Sequence, residues 1–476
     1  MFLEFIVSKN APVQVALEKM GSNLHGIVFV EDNLKLVGSI SDGDIRRFLV
    51  ANGTLPSTLL EVMRKEPFSL SETEYRDNCF NVDFNEYSVV PVVDSSNVII
   101  NFLTQNSRSI VPIAQPKLGG REIDYVLQCL RSGWISSQGS FVESFEQRFA
   151  DFIGAPPDNA LAVSNGTVAI ELGLRVLGVG PGDEVIVPNL TFAATANAVI
   201  NVGAIPVLCD VDADDWCLSP EFLLSAISDR TRAVICVHLY GQSAKIKQIS
   251  EIAIANGLFL LEDCAEALGT FFNNQHVGTF GDCATFSFFA NKLITTGEGG
   301  MLVFRESKHA DMGRILRSHG MSTKIKYWHE LVGGNFRMTN IQGGIGLAQL
   351  EQIDFFLGRR IEIAQLYTSI FEKLPQITHI PRSLPHSINS FWLYSISMVP
   401  AVSVDKLINY CLSKGIQLRR CFYPLDHMPA FCNLRKTEVD NSQLISRSSI
   451  SLPTYVEMSN ETVVSVAREI TQFLKR

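Results

Sequence analysis

Basic charge is in deficit: 40 lysines and arginines stand against 49 aspartates and glutamates, for a formal net charge of -9. An acidic chain without clustered Lys and Arg is a poor nucleic-acid partner, because phosphate backbones call for such clusters. Small anions remain within reach of backbone amides and a few local cations. The sequence also has no run of about 18 apolar residues, so no membrane-spanning helix is expected. Its first residues, MFLEFIVSKN, lack the basic, apolar and small-residue order of a signal peptide, and a cytoplasmic address follows as the expectation. Ten cysteines lie between Cys79 and Cys432 with no CxxC pair. No zinc or iron–sulfur spacing results, no bound metal is expected, and reduced buried thiols are the plain reading. Low-complexity tracts are absent too. What is present is ample core material: 46% hydrophobic and 19% charged residues in 476, enough for about three domains at ~150 residues each.

The first hundred residues differ in texture from the rest. An amphipathic helix around Val13 to Met20 precedes GIVFVED and LKLVGSISDGDIRRFL, which predict strand, turn, strand and a helix opening near Asp42 to Asp44. EYSVVPVVDSSNVIINFLT, from Glu86, is a weaker second copy, so two related modules in tandem are expected over 1–107. Beyond Val111, Phe145, Phe149 and Phe152 recur at helical spacing until Gly154 stops them, which marks a core stripe. Apolar runs then alternate with helical segments: DEVIVPNLTF, AIPVLCDVD, TRAVICVHLYG, GLFLLEDCAEA, DCATFSFFANK and GGMLVF. Runs of this kind predict a largely parallel sheet covered on both faces, with polar residues gathered at its C-terminal strand ends. Those ends carry His238, Tyr240, Asp263, Ser287 and Lys292. The expected division is a tandem module over 1–107, a large domain over 108–354 and a smaller α+β domain over 355–476.

Three short words carry candidate chemistry. SNGT (Ser164 to Thr167) lies between a strand and a helix, where amide hydrogens and the helix dipole favour an anion; it is equally an ordinary helix cap. Asp263 ends an apolar strand, placed either to cap the next helix or to hold a ring nitrogen protonated. Lys292 follows an apolar strand and precedes a glycine-rich turn; alone it reads as a surface charge.

Taken with their flanking words, these residues resemble the DegT/StrS-type sugar aminotransferases of the aspartate-aminotransferase fold (fold type I). The resemblance covers roughly Pro112 to Arg476 and rests on SGWISSQG, AVSNGTVAIELGLRVLGVGPGDEVIVPNLTFAATANAV, HLYGQ, EDCAEALGTFFNNQHVGTFGD, FSFFANKLITTGEGGM, GGNFRMTNIQGGIGLAQL and CFYPLDHMP. It implies a three-layer α/β sandwich and pyridoxal 5'-phosphate as cofactor, with Lys292 as the Schiff-base lysine and Asp263 as the partner of the pyridinium nitrogen. Gly166, Thr167 and Ser287 match the phosphate contacts, and Phe192 the aromatic that stacks on the ring. Glu266 stands beside the cofactor where many relatives have Gln or His. Asn335 matches an asparagine that reaches the phosphate from a neighbouring subunit, which implies a homodimer with shared sites. EDCAEA and HGMSTKIKYWHELVGGNFRMTN suggest the perosamine-synthase branch. Trp134, His319, Tyr327, Trp328, His329, Arg419 and Tyr423 would then lie near a nucleotide-linked sugar. Three departures concern substrate choice: Asp426 where relatives often have His, Arg420 where they have Pro, and Ala290 where they have glycine.

The reaction so implied moves an amino group from L-glutamate to a keto sugar, first choice C4 of a GDP-linked 6-deoxyhexose, for amino-sugar and surface-polysaccharide synthesis. UDP- and dTDP-linked sugars and C3 amination remain open, as do a sugar dehydratase on the same cofactor and a non-catalytic cofactor-binding regulator. In the front module, GSISDGDIRRFL resembles a cystathionine-β-synthase (CBS) motif. Ser41 and Asp44 match residues that hold the ribose of an adenine nucleotide, while Ser107 of the second copy stands where Asp is expected. A ligand sensor and a structural appendage are both open.

Overall fold

A computed structural model describes residues 4–23, 25–51, 54–76, 82, 86–104, 110–322 and 324–475. Two compact units result, Met1–Val111 and Pro112–Arg476.

In the first unit the helix Val13–Asn23 lays Val13, Ala16 and Met20 against the strands Ile27–Asp32 and Lys35–Ser41. Ser41 then caps the helix Asp42–Val50. The second strand pair, Val89–Val93 with Ile99–Thr104, repeats the antiparallel pairing. The two pairs meet through a core of Phe5, Phe29, Leu36, Val89, Val93 and Phe102. Ser107 lies outside the described residues.

The second unit is built on a seven-stranded sheet. Its order is Ile205–Cys209, Glu184–Pro188, Thr231–Val237, Phe259–Asp263, Cys283–Ser287, Gly300–Phe304 and Ala160–Val163. The first five run parallel and Gly300–Phe304 runs antiparallel to both of its neighbours. The strands are apolar along nearly their whole length because both faces are covered, as expected of a buried parallel sheet. The Phe stripe sits in the helix Ser140–Ile153, which Gly154 ends in a left-handed conformation at φ 76°. Phe149 packs edge-on against Phe286 and Phe288, which fixes that helix to the sheet.

The helix Ile353–Phe371 leads to a further sheet, in the order Ile377–His379, Tyr394–Met398, Ser449–Leu452 and Arg419–Arg420. Among the described residues no helix is long and apolar enough to cross a membrane. All nine described cysteines are free, and only Cys432 is exposed.

Candidate active site

The antiparallel strand gathers the site. Because Gly300–Phe304 runs back between two strands of the opposite sense, its start lies beside the ends of Ala160–Val163 and Cys283–Ser287. The SNGT turn, Ser287 and the lysine-bearing loop therefore meet at one edge of the crevice.

At that edge Asn165 caps the helix Gly166–Val176, its side chain accepting the Val168 amide at 2.9 Å. The first-turn amides of a helix have no intrahelical acceptor, and Gly166 and Thr167, which supply two of them here, line the cavity. Gly166 permits this close packing: a Cβ there would lie 2.9 Å from the Ser287 Cβ. Replacing Gly166 with Ala is expected to push the turn off the strand. Titration of apoprotein with cofactor should then show binding weakened about tenfold, or ~1.4 kcal/mol.

Asp263 ends its strand buried. It accepts the Thr195 hydroxyl at 2.9 Å and the Ala265 amide at 3.1 Å, so it is both a cap and a wall of the cavity. Burial raises its carboxyl above the usual range, against those two bonds and the charge of Lys292; a cation seated beside it would favour the ionised form. Glu266, also buried, accepts the Tyr240 amide at 2.9 Å through Oε2, while Oε1 lies 3.7 Å from Lys292 Nζ. Burial pushes the Glu266 carboxyl up to about 7, with Lys292 opposing. The Lys292 ammonium is held below the ordinary lysine range by burial, against the pull of Glu266 and Asp263.

Lys292 Nζ also sits 4.0 Å from the centre of the Trp392 ring. Trp392 is locked from both ends: its indole N–H donates to Asn291 O at 2.8 Å, and its carbonyl accepts from the fully buried Arg360 at 2.5 Å. Tyr240, at φ 54°, stacks between Trp392 and Phe422, with ring centres at 6.1 Å and 5.4 Å. Phe192 continues the aromatic wall, 5.9 Å from Phe422.

Directly behind Asp263, Glu262 accepts the amides of Gly278, Phe280 and Gly281 at 2.8, 2.8 and 2.7 Å. His238 Nδ1 accepts the Ala244 amide, which leaves the Nε2 proton for Glu262 at 3.1 Å. Cys264 joins His238 and Glu262 within 4.8 Å, a candidate metal cluster by proximity, but the carboxylate is already occupied by hydrogen bonds on both oxygens.

Of the sequence candidates, Gly166, Thr167, Phe192, Asp263, Glu266, Ser287, Lys292 and Arg419 line one cavity of about 570 Å³. Others do not reach it. Trp134 borders a different cavity of about 810 Å³, and Asn335, His319, Tyr327, Trp328 and His329 are exposed. Tyr423 is 57% exposed, with the Arg420 guanidinium 5.7 Å above its ring. Asp426 is buried and bound to Asn189 and Lys436 at 2.8 Å each, so it serves packing of the chain with itself. Thr195, Trp392 and Arg360 escaped sequence reasoning; SFWLYSISMV reads only as a strand.

The profile of the DegT/DnrJ/EryC1/StrS aminotransferase family matches residues 116–471. The chain belongs to this family. It is an enzyme, an aminotransferase with pyridoxal 5'-phosphate as cofactor. The CBS-domain profile matches residues 4–51. GDP-perosamine synthase of Escherichia coli O157:H7 is 41% identical over 363 residues, 76% of this chain and 98% of the relative. The GDP-perosamine synthase of Caulobacter vibrioides is 40% identical over 366 residues, again 76% and 98%. Among solved structures, the PLP form of the putative sugar aminotransferase Spr1654 from Streptococcus pneumoniae superposes with a TM-score of 0.73. It is 27% identical and covers 77% of this chain and 99% of that one.

The DegT-family cavity fits the cofactor on its own chemistry. A helix N-terminus beside Ser287 suits a phosphate, a buried carboxylate suits a protonated ring nitrogen, and a half-buried amine lines the same cavity.

Proposed function

We propose that this aminotransferase transfers the amino group of L-glutamate to C4 of a nucleotide-linked 4-keto-6-deoxyhexose, with GDP as the carrier. The observation that carries the reading is a lysine amine, an ion-pairing carboxylate and a helix N-terminus in one cavity; relatives at about 40% identity named as GDP-perosamine synthases support the substrate. When bound, pyridoxal phosphate supplies an aldehyde for amine exchange and a protonated ring that withdraws electrons from the reacting carbon. Gly166, Thr167 and Ser287 would hold its phosphate, Phe192 would pack on its ring, and Asp263 would keep the ring nitrogen protonated. Lys292 would hold the aldehyde carbon and would then move the proton of the donor's α-carbon. Arg419, on the cavity wall, binds substrate anion. Mass spectrometry of products from glutamate and a panel of GDP-, UDP- and dTDP-linked keto sugars tests this. Aminated GDP-hexose is expected, and a deoxy sugar or no turnover would overturn it.

A homodimer accounts for the candidates outside the cavity. Asn335 would complete a second copy's phosphate site, with Trp134, His319, Tyr327, Trp328, His329 and Tyr423 around the nucleotide sugar; their exposure supports it. Mixing Lys292→Ala with Asn335→Ala protein should restore about a quarter of wild-type activity if sites are shared, from the statistical fraction of mixed dimers with one intact site. The three-part division at 107 and 354 and a cytoplasmic address, supported by the free buried thiols, belong to the same proposal.

For the front module the structure favours the appendage over the adenine-nucleotide sensor. Asp44 accepts from Ser41 Oγ at 2.6 Å, Arg47 at 2.5 Å and Arg64 at 2.7 Å, which occupies the carboxylate that a ribose would claim. Burial alone would raise this carboxyl, and those bonds outweigh it and hold it near 2. A depressed value stabilises the fold above the ordinary carboxylate pKa and loses that contribution as pH falls toward 2. Calorimetric titration of the whole protein with adenine nucleotides should give no heat that Asp44→Asn removes.

A further inference from the structure

We propose that Glu266 is the proton store of this active site, taking the proton that the donor's ammonium must lose and returning one when the acceptor's carbonyl oxygen leaves as water. The proposal rests on the aminotransferase reading of the cavity.

The geometry singles this carboxylate out. Its Oε2 accepts the Tyr240 amide, on a residue at φ 54° whose ring is stacked between Trp392 and Phe422. Its Oε1 faces Lys292 Nζ at 3.7 Å, the atom whose place at the reacting carbon an incoming amine must take. Any amine that displaces the lysine comes within reach of the same oxygen. The other groups around Glu266 are unsuited. Asp263 has both oxygens engaged by Thr195 and Ala265. The Tyr240 hydroxyl accepts the Phe422 amide, and burial drives its ionisation far above the working range. Cys421 is buried and likewise pushed up to about 12. Arg419 offers hydrogen-bond donors and no acceptor. Glu266 itself, with burial pushing it up to about 7, has both forms available near neutrality, where a proton carrier is most effective.

The proton count closes. In the first half-reaction the donor ammonium gives a proton to the Glu266 carboxylate and becomes a nucleophilic amine. In the second, a C=N bond forms as the acceptor's C–O bond breaks. The departing oxygen takes one hydrogen from the attacking nitrogen and one from the Glu266 carboxyl, leaves as water, and the carboxylate is restored. Glutamine at this position could do neither.

The signs follow for each half. Acceptance needs the ionised form, so the donor half-reaction fades as pH falls. Return needs the protonated form, so the acceptor half-reaction fades as pH rises. Single-turnover absorbance of each half-reaction across pH, in wild type, Glu266→Gln and Glu266→Asp, tests this alongside absorbance titration of the cofactor-loaded proteins without substrate. Wild type should show the opposed limbs. The glutamine variant should load cofactor, lose both limbs, run each half about 100-fold slower and show one ionisation fewer in the substrate-free titration. The aspartate variant should keep the limbs with a moved midpoint. A glutamine variant with wild-type limbs and an unchanged titration would overturn the proposal. A wild-type protein that takes up no cofactor would overturn the reading of the cavity beneath it.

Discussion

Replacing Lys292 with alanine is expected to lower turnover by about 10⁴-fold, because in the proposed mechanism the lysine would serve both as the covalent anchor and as the carrier of the α-carbon proton. The fold should survive. The amine is held in the cavity by Glu266 at 3.7 Å and the Trp392 ring at 4.0 Å, contacts that favour its charged form, while burial disfavours it. Removing it ends both contributions together, so the change in Tm should be small. Cofactor should still bind the alanine variant, more weakly, through the helix N-terminus at Gly166 and the Asp263 carboxylate. Borohydride treatment followed by peptide mass spectrometry checks the point: wild type should carry a reduced pyridoxyl mass on the peptide spanning Lys292, and the variant should carry none.

Glu262→Ala is expected to give the largest loss of stability, about 3–5 kcal/mol, the usual result of removing one partner from a fully buried polar pair. Here the loss would strand three amides and the His238 Nε2 proton in a dry interior. Cofactor binding should fall as well, since His238 donates its own amide to the Asp263 carbonyl at 3.1 Å. Denaturant unfolding at neutral pH measures the first effect and apoprotein titration the second. Burial acts to raise the Glu262 carboxyl, yet His238 and the amides hold it below its ordinary value. Its contribution is therefore present above that ordinary value and is lost as pH falls through the depressed one, so wild type and variant should converge in acid.

The words that meet at the cavity were legible because each is local. SNGT, EDCAEA and FANK all mark the end of an apolar strand, and in a parallel sheet those ends share one rim. The apolar runs fixed the strands for the same reason, as both faces of the sheet are buried. What was not legible depends on long-range contact. Thr195 reaches Asp263 across 68 positions, and Trp392 joins the loop of Lys292 through a bond to Asn291 spanning 101. Arg360 sits in a helix whose pattern only says that one face is buried. His319, Tyr327, Trp328 and His329 are a different case: resemblance places them near substrate, each is exposed, and none of them lines this chain's own cavity.

The antiparallel strand at the rim has a thermodynamic corollary. The groups fitted to the cofactor come from turns near positions 165, 263 and 292, joined only through the completed sheet. No fragment short of that sheet retains the set, so cofactor should bind the native second unit and ignore its denatured chain. Added cofactor should then raise the melting temperature in a concentration-dependent way, and release of the chromophore should coincide with melting of this unit.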